Sequence, residues 1–164
     1  MRKSLEIAKG WFKDKDSDYN SAIGVEVGVC TGRNAFDILE NFPSLGVLHL
    51  VDPYIGRNPH YYAGAKKLLS PYEHRIVWHI VKSEYAVKCF VKDTLDFVYI
   101  DGDHSYGGVK QDCEQWYPKI ISDGILCGHD YAGISRVKLA VDEFAKKINR
   151  QLHIGGEDWW IFKE

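Results

Sequence analysis

The 164-residue sequence contains no long apolar run: its uninterrupted apolar stretches reach about six residues, where a membrane-spanning helix needs roughly 20. It has no excess of either charge. With 21 Lys and Arg against 23 Asp and Glu the net charge is −2, so no basic surplus exists to drive the counterion release on which non-specific nucleic-acid binding depends. The four cysteines, Cys30, Cys89, Cys113 and Cys127, make no CxxC pair, which argues against a zinc ribbon or a redox dithiol and for buried free thiols. After Arg2 and Lys3 the chain continues LEIAKGWFKDKDSD, with charges where a signal peptide needs an apolar stretch. These absences predict a cytoplasmic protein that engages neither membrane nor nucleic acid.

What is present is a core. With 45% hydrophobic and 13% aromatic residues the chain can fill the interior of one domain, and its length suits one. Short β-branched runs alternate with helical patterns. AIGVEVGV (22–29), GVLHLVDPY (46–54), RIVWHIVK (75–82), LDFVYIDGDH (95–104) and GILCGHDY (124–131) read as strands. Between them apolar residues recur at intervals of three or four, as in Ala35, Ile38, Leu39 and Phe42, or Val109, Cys113, Trp116 and Ile120. A last long helix carries Val137, Ala140, Val141, Phe144 and Ile148 on one face. Such repetition calls for right-handed crossovers and a parallel sheet covered on both sides, a doubly wound α/β fold. QLHIGG (151–156) and DWWIFK (158–163) lie too close together for a crossover, so they are expected to close a seven-stranded sheet as an antiparallel hairpin. Residues 1–21, with Leu5, Ala8, Trp11 and Phe12 on an apolar face, are expected to form a helix before the 22–164 core, either capping the site or packing on the sheet.

In an open parallel sheet, ligands bind beyond the carboxyl ends of the strands, where strand order reverses. The first strand runs into Glu26-Val27-Gly28-Val29-Cys30-Thr31-Gly32. Gly28 and Gly32 let a ligand approach the backbone beside a helix start, although the spacing is not the GxGxxG of dinucleotide enzymes. Asp52 ends the second strand 20 residues after Gly32, where a carboxylate can accept ribose hydroxyls, so the pair points to a nucleoside. Ser83 reads either as a helix cap or as a hydrogen-bonding partner of an adenine edge. The fourth and fifth strands end in Asp101-Gly102-Asp103-His104 and His129-Asp130-Tyr131. Asp103 alone also reads as a helix cap, but so many ionisable groups converging on one crevice are costly to hold without a ligand or metal. His49, His79 and His153 fall inside strand runs and read as structural. The segment YIGRNPHYYAG (54–64) reads as an acceptor lid using Arg57, His60, Tyr61 or Tyr62, or as a plain loop.

The stretch FVYIDGDHSYGGVKQDCEQWYPKIISDGILCGHDY (97–131) resembles the "IDG-H-Y … D … W-P … GG … HDY" pattern of class I S-adenosylmethionine-dependent methyltransferases. The likeness is to the small-molecule O-methyltransferase branch, macrocin O-methyltransferase-like and catechol O-methyltransferase-like, and runs from about residue 22 to the end, with Asp123-Gly124 in place of a Gly pair. It implies a Rossmann-like methyltransferase fold with S-adenosylmethionine as cofactor. By the same resemblance Glu26, Gly28 and Gly32 shape the methionine end, Asp52 holds the ribose, Ser83 lies by the adenine, and Asp101 and Asp103 border the cofactor. Asp101, His129 and Asp130 would hold Mg²⁺ or Mn²⁺, His129 standing where metal-dependent members carry an oxygen ligand. Without a metal, His129 or His104 would take the acceptor's proton, oriented by Asp130 or Asp101. The implied acceptor is a small hydroxylated molecule of sugar or phenol type. A non-catalytic S-adenosylmethionine or nucleoside binder, or a methyltransferase acting on a macromolecule, are the alternatives. Since the core takes almost the whole length, a homodimer completing the pocket, or a site open to a large acceptor, is expected.

Overall fold

The sequence LDFVYI is buried at every position, as a strand covered by helices on both faces must be. It is the fourth of seven strands in the computed structural model, which describes residues 2–14, 22–56 and 60–164, without the side chains of 11–14. The elements are α1 (Lys3–Asp14), β1 (Ala22–Val27), α2 (Arg33–Asn41), β2 (Leu45–Val51), α3 (His60–Leu69), β3 (Ile76–His79), α4 (Ser83–Ala86), β4 (Leu95–Ile100), α5 (Tyr106–Trp116), β5 (Ile120–Gly128), α6 (Ser135–Ile148), β6 (His153–Gly155) and β7 (Asp158–Lys163). The sheet order is β3-β2-β1-β4-β5-β7-β6. β1 to β5 pair in parallel, and β7 runs antiparallel to both β5 and β6. This is the doubly wound sheet with a closing hairpin that the sequence predicts, and its order reverses between β1 and β4.

Alternation along the strands makes two cores. Val25, Val27, Val98, Ile100, Leu126 and Trp159 face α5 and α6; Leu48, Leu50, Phe97, Tyr99, Ile125 and Trp160 face α1 and α2. The adjacent Trp159 and Trp160 therefore bury on opposite sides. Leu5 and Ala8 of α1 are fully buried in the second core, so this helix packs on the sheet; the polar run after it lies largely outside the described residues. Among the described residues no helix is long and apolar enough to cross a membrane.

The strands stop two to four residues short of the predicted runs at their carboxyl ends, and β5 begins at Ile120 rather than 124. The overshoot has a physical cause. The first residue of each tip still donates its amide to the neighbouring strand: Gly28 to Val51, Asp52 to His79, Asp101 to Val27 and His129 to Ile100. Sheet-like pairing thus carries the loop residues to a common edge before the chain turns. The turns use left-handed backbone at Cys30, Tyr54 and Asp130, a conformation costly for side-chain-bearing residues and concentrated at functional sites. His49 and His79 pair ring to ring at 3.0 Å, and His153 stacks on Trp160, all three structural as read. In the predicted lid, Arg57 and Pro59 lie outside the described residues. His60 and Tyr61 are exposed at the start of α3, while Tyr62 packs between Tyr54 and Trp78 and serves the fold.

Candidate active site

A cleft of about 370 Å³ opens at the switch point between β1 and β4, lined among others by Gly28, Asp52, Ser83, Asp103, Gln111 and Asp112. Gly28 has φ +90°, and a Cβ there would stand 2.1 Å from the Asp101 carbonyl oxygen, so only glycine lets β1 and β4 come this close. Gly32, at φ +78°, precedes α2. Asp52 is 3% exposed. Its Oδ2 accepts the amides of Val29 and Cys30 at 3.1 and 2.9 Å, and its Oδ1 accepts that of Tyr54 at 2.8 Å. The acid thus pins the glycine turn, with lone-pair capacity left on Oδ1 toward the cleft.

Beside that turn Glu26 is buried. Asn34 Nδ2 donates to its Oε1 at 2.9 Å, whereas Oε2, the Asn34 Oδ1 and the Tyr54 hydroxyl have no hydrogen-bond partner among the described residues. Burial pushes the Glu26 carboxyl up to about 8, against the Asn34 bond that lowers it. Three orphaned polar atoms in so small a volume mark a place for a polar ligand group. At the other end of the cleft, Ser83 donates to Asp112 Oδ1 at 2.5 Å and accepts from the Trp116 indole at 2.8 Å. Ser83 makes no capping bond, since the N-cap of α4 is Lys82; the capping reading is corrected because the hydroxyl is spent on α5. Burial raises the Asp112 carboxyl to about 6. Asp103 accepts the amide and hydroxyl of Ser105, which in turn caps α5 through Gly108. It supports the cap from outside while lining the cleft.

The second group lies at the tips of β4, β5 and β7. His104 Nε2 sits 3.3 Å from Asp101 Oδ1 and 3.2 Å from Asp130 Oδ2, yet it is buried and makes no hydrogen bond among the described residues. The three residues are the one set of His, Cys, Asp or Glu there whose ligand atoms all fall within 4.8 Å of one another. His129 stands apart from that set. Its Nδ1 meets Asp130 Oδ1 at 3.1 Å, and its Nε2 faces Asp158 Oδ1 at 3.8 Å. The structure thus groups Asp101 and Asp130 with His104 rather than with the expected His129, the left-handed Asp130 turning its two oxygens to different imidazoles. Just before α1, Arg2 Nη1 donates to Asp101 Oδ2 at 2.8 Å and to the Tyr99 hydroxyl at 2.5 Å. The amide and hydroxyl of Ser4 both donate to Asp158 Oδ2 at 2.9 Å. Burial raises the Asp101 carboxyl, with Arg2 pulling the other way.

A family profile described as a methyltransferase domain matches residues 25–131. The chain belongs to that family. It is an S-adenosylmethionine-dependent methyltransferase. No curated protein matches its sequence. Solved structures share its fold at low identity. The O-methyltransferase NovP is 17% identical, covering 97% of this chain and 78% of its own, with a TM-score of 0.75. CalS11, a TDP-rhamnose 3'-O-methyltransferase of calicheamicin biosynthesis, is 14% identical over 97% of this chain and 76% of its own, TM-score 0.71. An O-methyltransferase from Bacillus cereus in complex with SAH is 10% identical over 99% and 92%, TM-score 0.64.

In this methyltransferase, Gly28, Asp52, Ser83 and Asp103 meet at the cleft, while Asp101, His104, His129 and Asp130 meet at the rim. Five participants escape the sequence reading. Asp112 and Asn34 carry a signal, since each is a polar residue on an inward helical stripe, with Val109, Cys113 and Trp116 or with Ala35 and Ile38. Tyr54, Asp158 and Arg2 carry none, because only the tertiary fold brings them in.

Proposed function

We propose that the methyltransferase is an O-methyltransferase that moves the sulfonium methyl of S-adenosylmethionine to a hydroxyl of a small molecule of sugar or phenol type. The carrying observation is the convergence of Asp101, His104 and Asp130 on the rim of the cleft. O-methyltransferases such as NovP and CalS11, the latter named for a nucleotide sugar, share the fold and support the choice of oxygen. In this reading Glu26 Oε2 and the Tyr54 hydroxyl receive the methionine ammonium, Asp52 Oδ1 takes a ribose hydroxyl, and the Ser83–Asp112 pair borders the adenine.

The sulfonium carbon is already activated, so the protein must hold an oxygen in line and remove its proton. A buried imidazole nitrogen between two carboxylates, without a hydrogen bond to either, suits a divalent cation. Its mixed nitrogen and oxygen donors favour Mn²⁺ or Fe²⁺ over Mg²⁺. Such a cation would lower the pKa of the acceptor hydroxyl. His129 is the proton acceptor in this reading. Its Nδ1 proton is directed to Asp130, which leaves the Nε2 lone pair free and places Asp158 where an imidazolium forms.

Calorimetric titration with S-adenosylhomocysteine, paired with NAD as a control, tests the cofactor, and transfer of labelled methyl to sugars and phenols before and after EDTA tests the rest. Saturable binding of the homocysteine compound alone, and transfer that EDTA removes and Mn²⁺ restores, are expected. Full activity after EDTA would sink the metal-assisted version, and methylation of amines but not hydroxyls would sink the oxygen specificity.

A further inference from the structure

The Asp101 carboxylate is engaged from two sides. Its Oδ1 belongs to the donor set with His104 and Asp130, and its Oδ2 already carries a cation, the Arg2 guanidinium at 2.8 Å. Arg2 is not a loose surface side chain. It also donates to the hydroxyl of Tyr99, a fully buried residue, and lies over the Tyr99 ring at 5.3 Å. Two residues on, Ser4 clamps Asp158 with two bonds. Asp158 Oδ1 in turn accepts from Tyr99 at 3.4 Å and faces His129. The first turn of α1 is thus tied to the acids of the rim at two points, one of which is a salt bridge to a residue of the donor set.

We propose that Arg2 is a resident cation of this cluster, and that a divalent ion on Asp101, His104 and Asp130 competes with it, so that metal loading loosens the first turn of α1. The inference rests on the metal-assisted reading above. A fixed positive charge one carboxylate away from a dication opposes its binding, in a partly buried setting where such repulsion is weakly screened. The coupling is reciprocal. Whatever factor Arg2 takes from metal affinity, the metal takes from the docking of Arg2. The N-terminal turn is then a metal-sensitive wall of the acceptor side, closed by an internal cation and opened by an external one.

The test uses Mn²⁺ alone, titrated into the full chain and followed through the spin-resonance signal of the free ion. Hydrogen exchange of residues 2–10 is measured with and without Mn²⁺. Arg2→Gln is expected to bind Mn²⁺ at least about tenfold tighter than the parent, while Arg2→Lys, which keeps a cation, stays within about threefold of it. Asp101→Asn abolishes binding, and Mn²⁺ speeds exchange at Ser4 to Glu6 in the parent but not in Asp101→Asn. Equal or weaker Mn²⁺ binding by Arg2→Gln, with exchange in the parent unmoved by the ion, overturns the competition while leaving the metal site intact. Failure of every form to bind Mn²⁺ at millimolar concentration overturns the metal reading, and this inference with it.

Discussion

On the cofactor side backbone amides reach the two acids at the turns: Asp52 takes three amides of the turns after β1 and β2, and Asp103 takes the amide and hydroxyl of Ser105, just before α5. On the rim side they are held by one another. Arg2, Asp101, His104, Asp130, His129 and Asp158 come from the residue before α1 and the tips of β4, β5 and β7, and their contacts with one another run between side chains. The first construction makes binding inseparable from folding, since the groups that would meet the ligand also shape the turn. The second lets one member be changed while the sheet stays as it is. Damage to the cofactor half should appear in stability and affinity together, and damage to the rim chiefly in rate.

The largest effect is expected where the two halves touch. Gly28→Ala puts a Cβ 2.1 Å from the Asp101 carbonyl at a φ of +90°, and neither strand can yield without parting β1 from β4. Thermal unfolding should show a loss of about 3 kcal/mol or more, and S-adenosylhomocysteine binding should vanish with it. A variant that unfolds like the parent would show the tips to be looser than this comparison requires.

Next come the rim residues. His104→Ala and Asp101→Asn should each lower the methyl-transfer rate about 100-fold or more while leaving S-adenosylhomocysteine affinity within about threefold, because neither side chain lines the cleft. Parallel losses of rate and affinity would erase the division between the halves.

The same division explains what the sequence reveals. The sheet, its hairpin and the strand tips are legible because they follow from local periodicity and from Gly and Asp at strand ends. That is why Gly28, Asp52, Asp101 and Asp130 can be named from the sequence. The rim is not legible to the same depth. His104 is the fourth residue after β4 and His129 the first after β5, and only the tertiary turn, left-handed at Asp130, decides which imidazole joins the acids. Arg2 and Asp158 lie near opposite ends of the sequence, and both reach the Tyr99 hydroxyl because α1 packs against β7, a contact with no short-range signature.

Glu26 tests the cofactor half at smaller amplitude. Its carboxyl is raised from 4.5 to about 8 by burial, so between those values the unfolded chain binds fewer protons than the folded one and stability falls as pH rises, levelling above about 8. Glu26→Gln should remove that slope and keep the fold. Because an ammonium ligand is best met by the ionised acid, S-adenosylhomocysteine affinity of the parent should climb with pH toward 8, and Glu26→Gln should bind about tenfold more weakly at pH 8, with a flatter profile. Identical calorimetric profiles for the two would remove Glu26 from the ammonium site.

The smallest effect is expected at Ser4, which belongs to the rim but only through α1. Ser4→Ala deletes the hydroxyl bond to Asp158 Oδ2 and keeps the amide bond to the same oxygen, so the buried carboxylate is not stranded and unfolding should cost only about 1 kcal/mol. Cofactor affinity should not move. The rate should fall by a few-fold, because a less firmly held Asp158 supports the His129 imidazolium less well. The sensitive readout is the transfer rate at saturating cofactor, set beside S-adenosylhomocysteine affinity. A lowered rate with unchanged affinity ties α1 to the rim's chemistry. A rate equal to the parent's would show that Ser4 fastens the helix and nothing more, and would leave Arg2, the residue before α1, as the link between that helix and the acids of the rim.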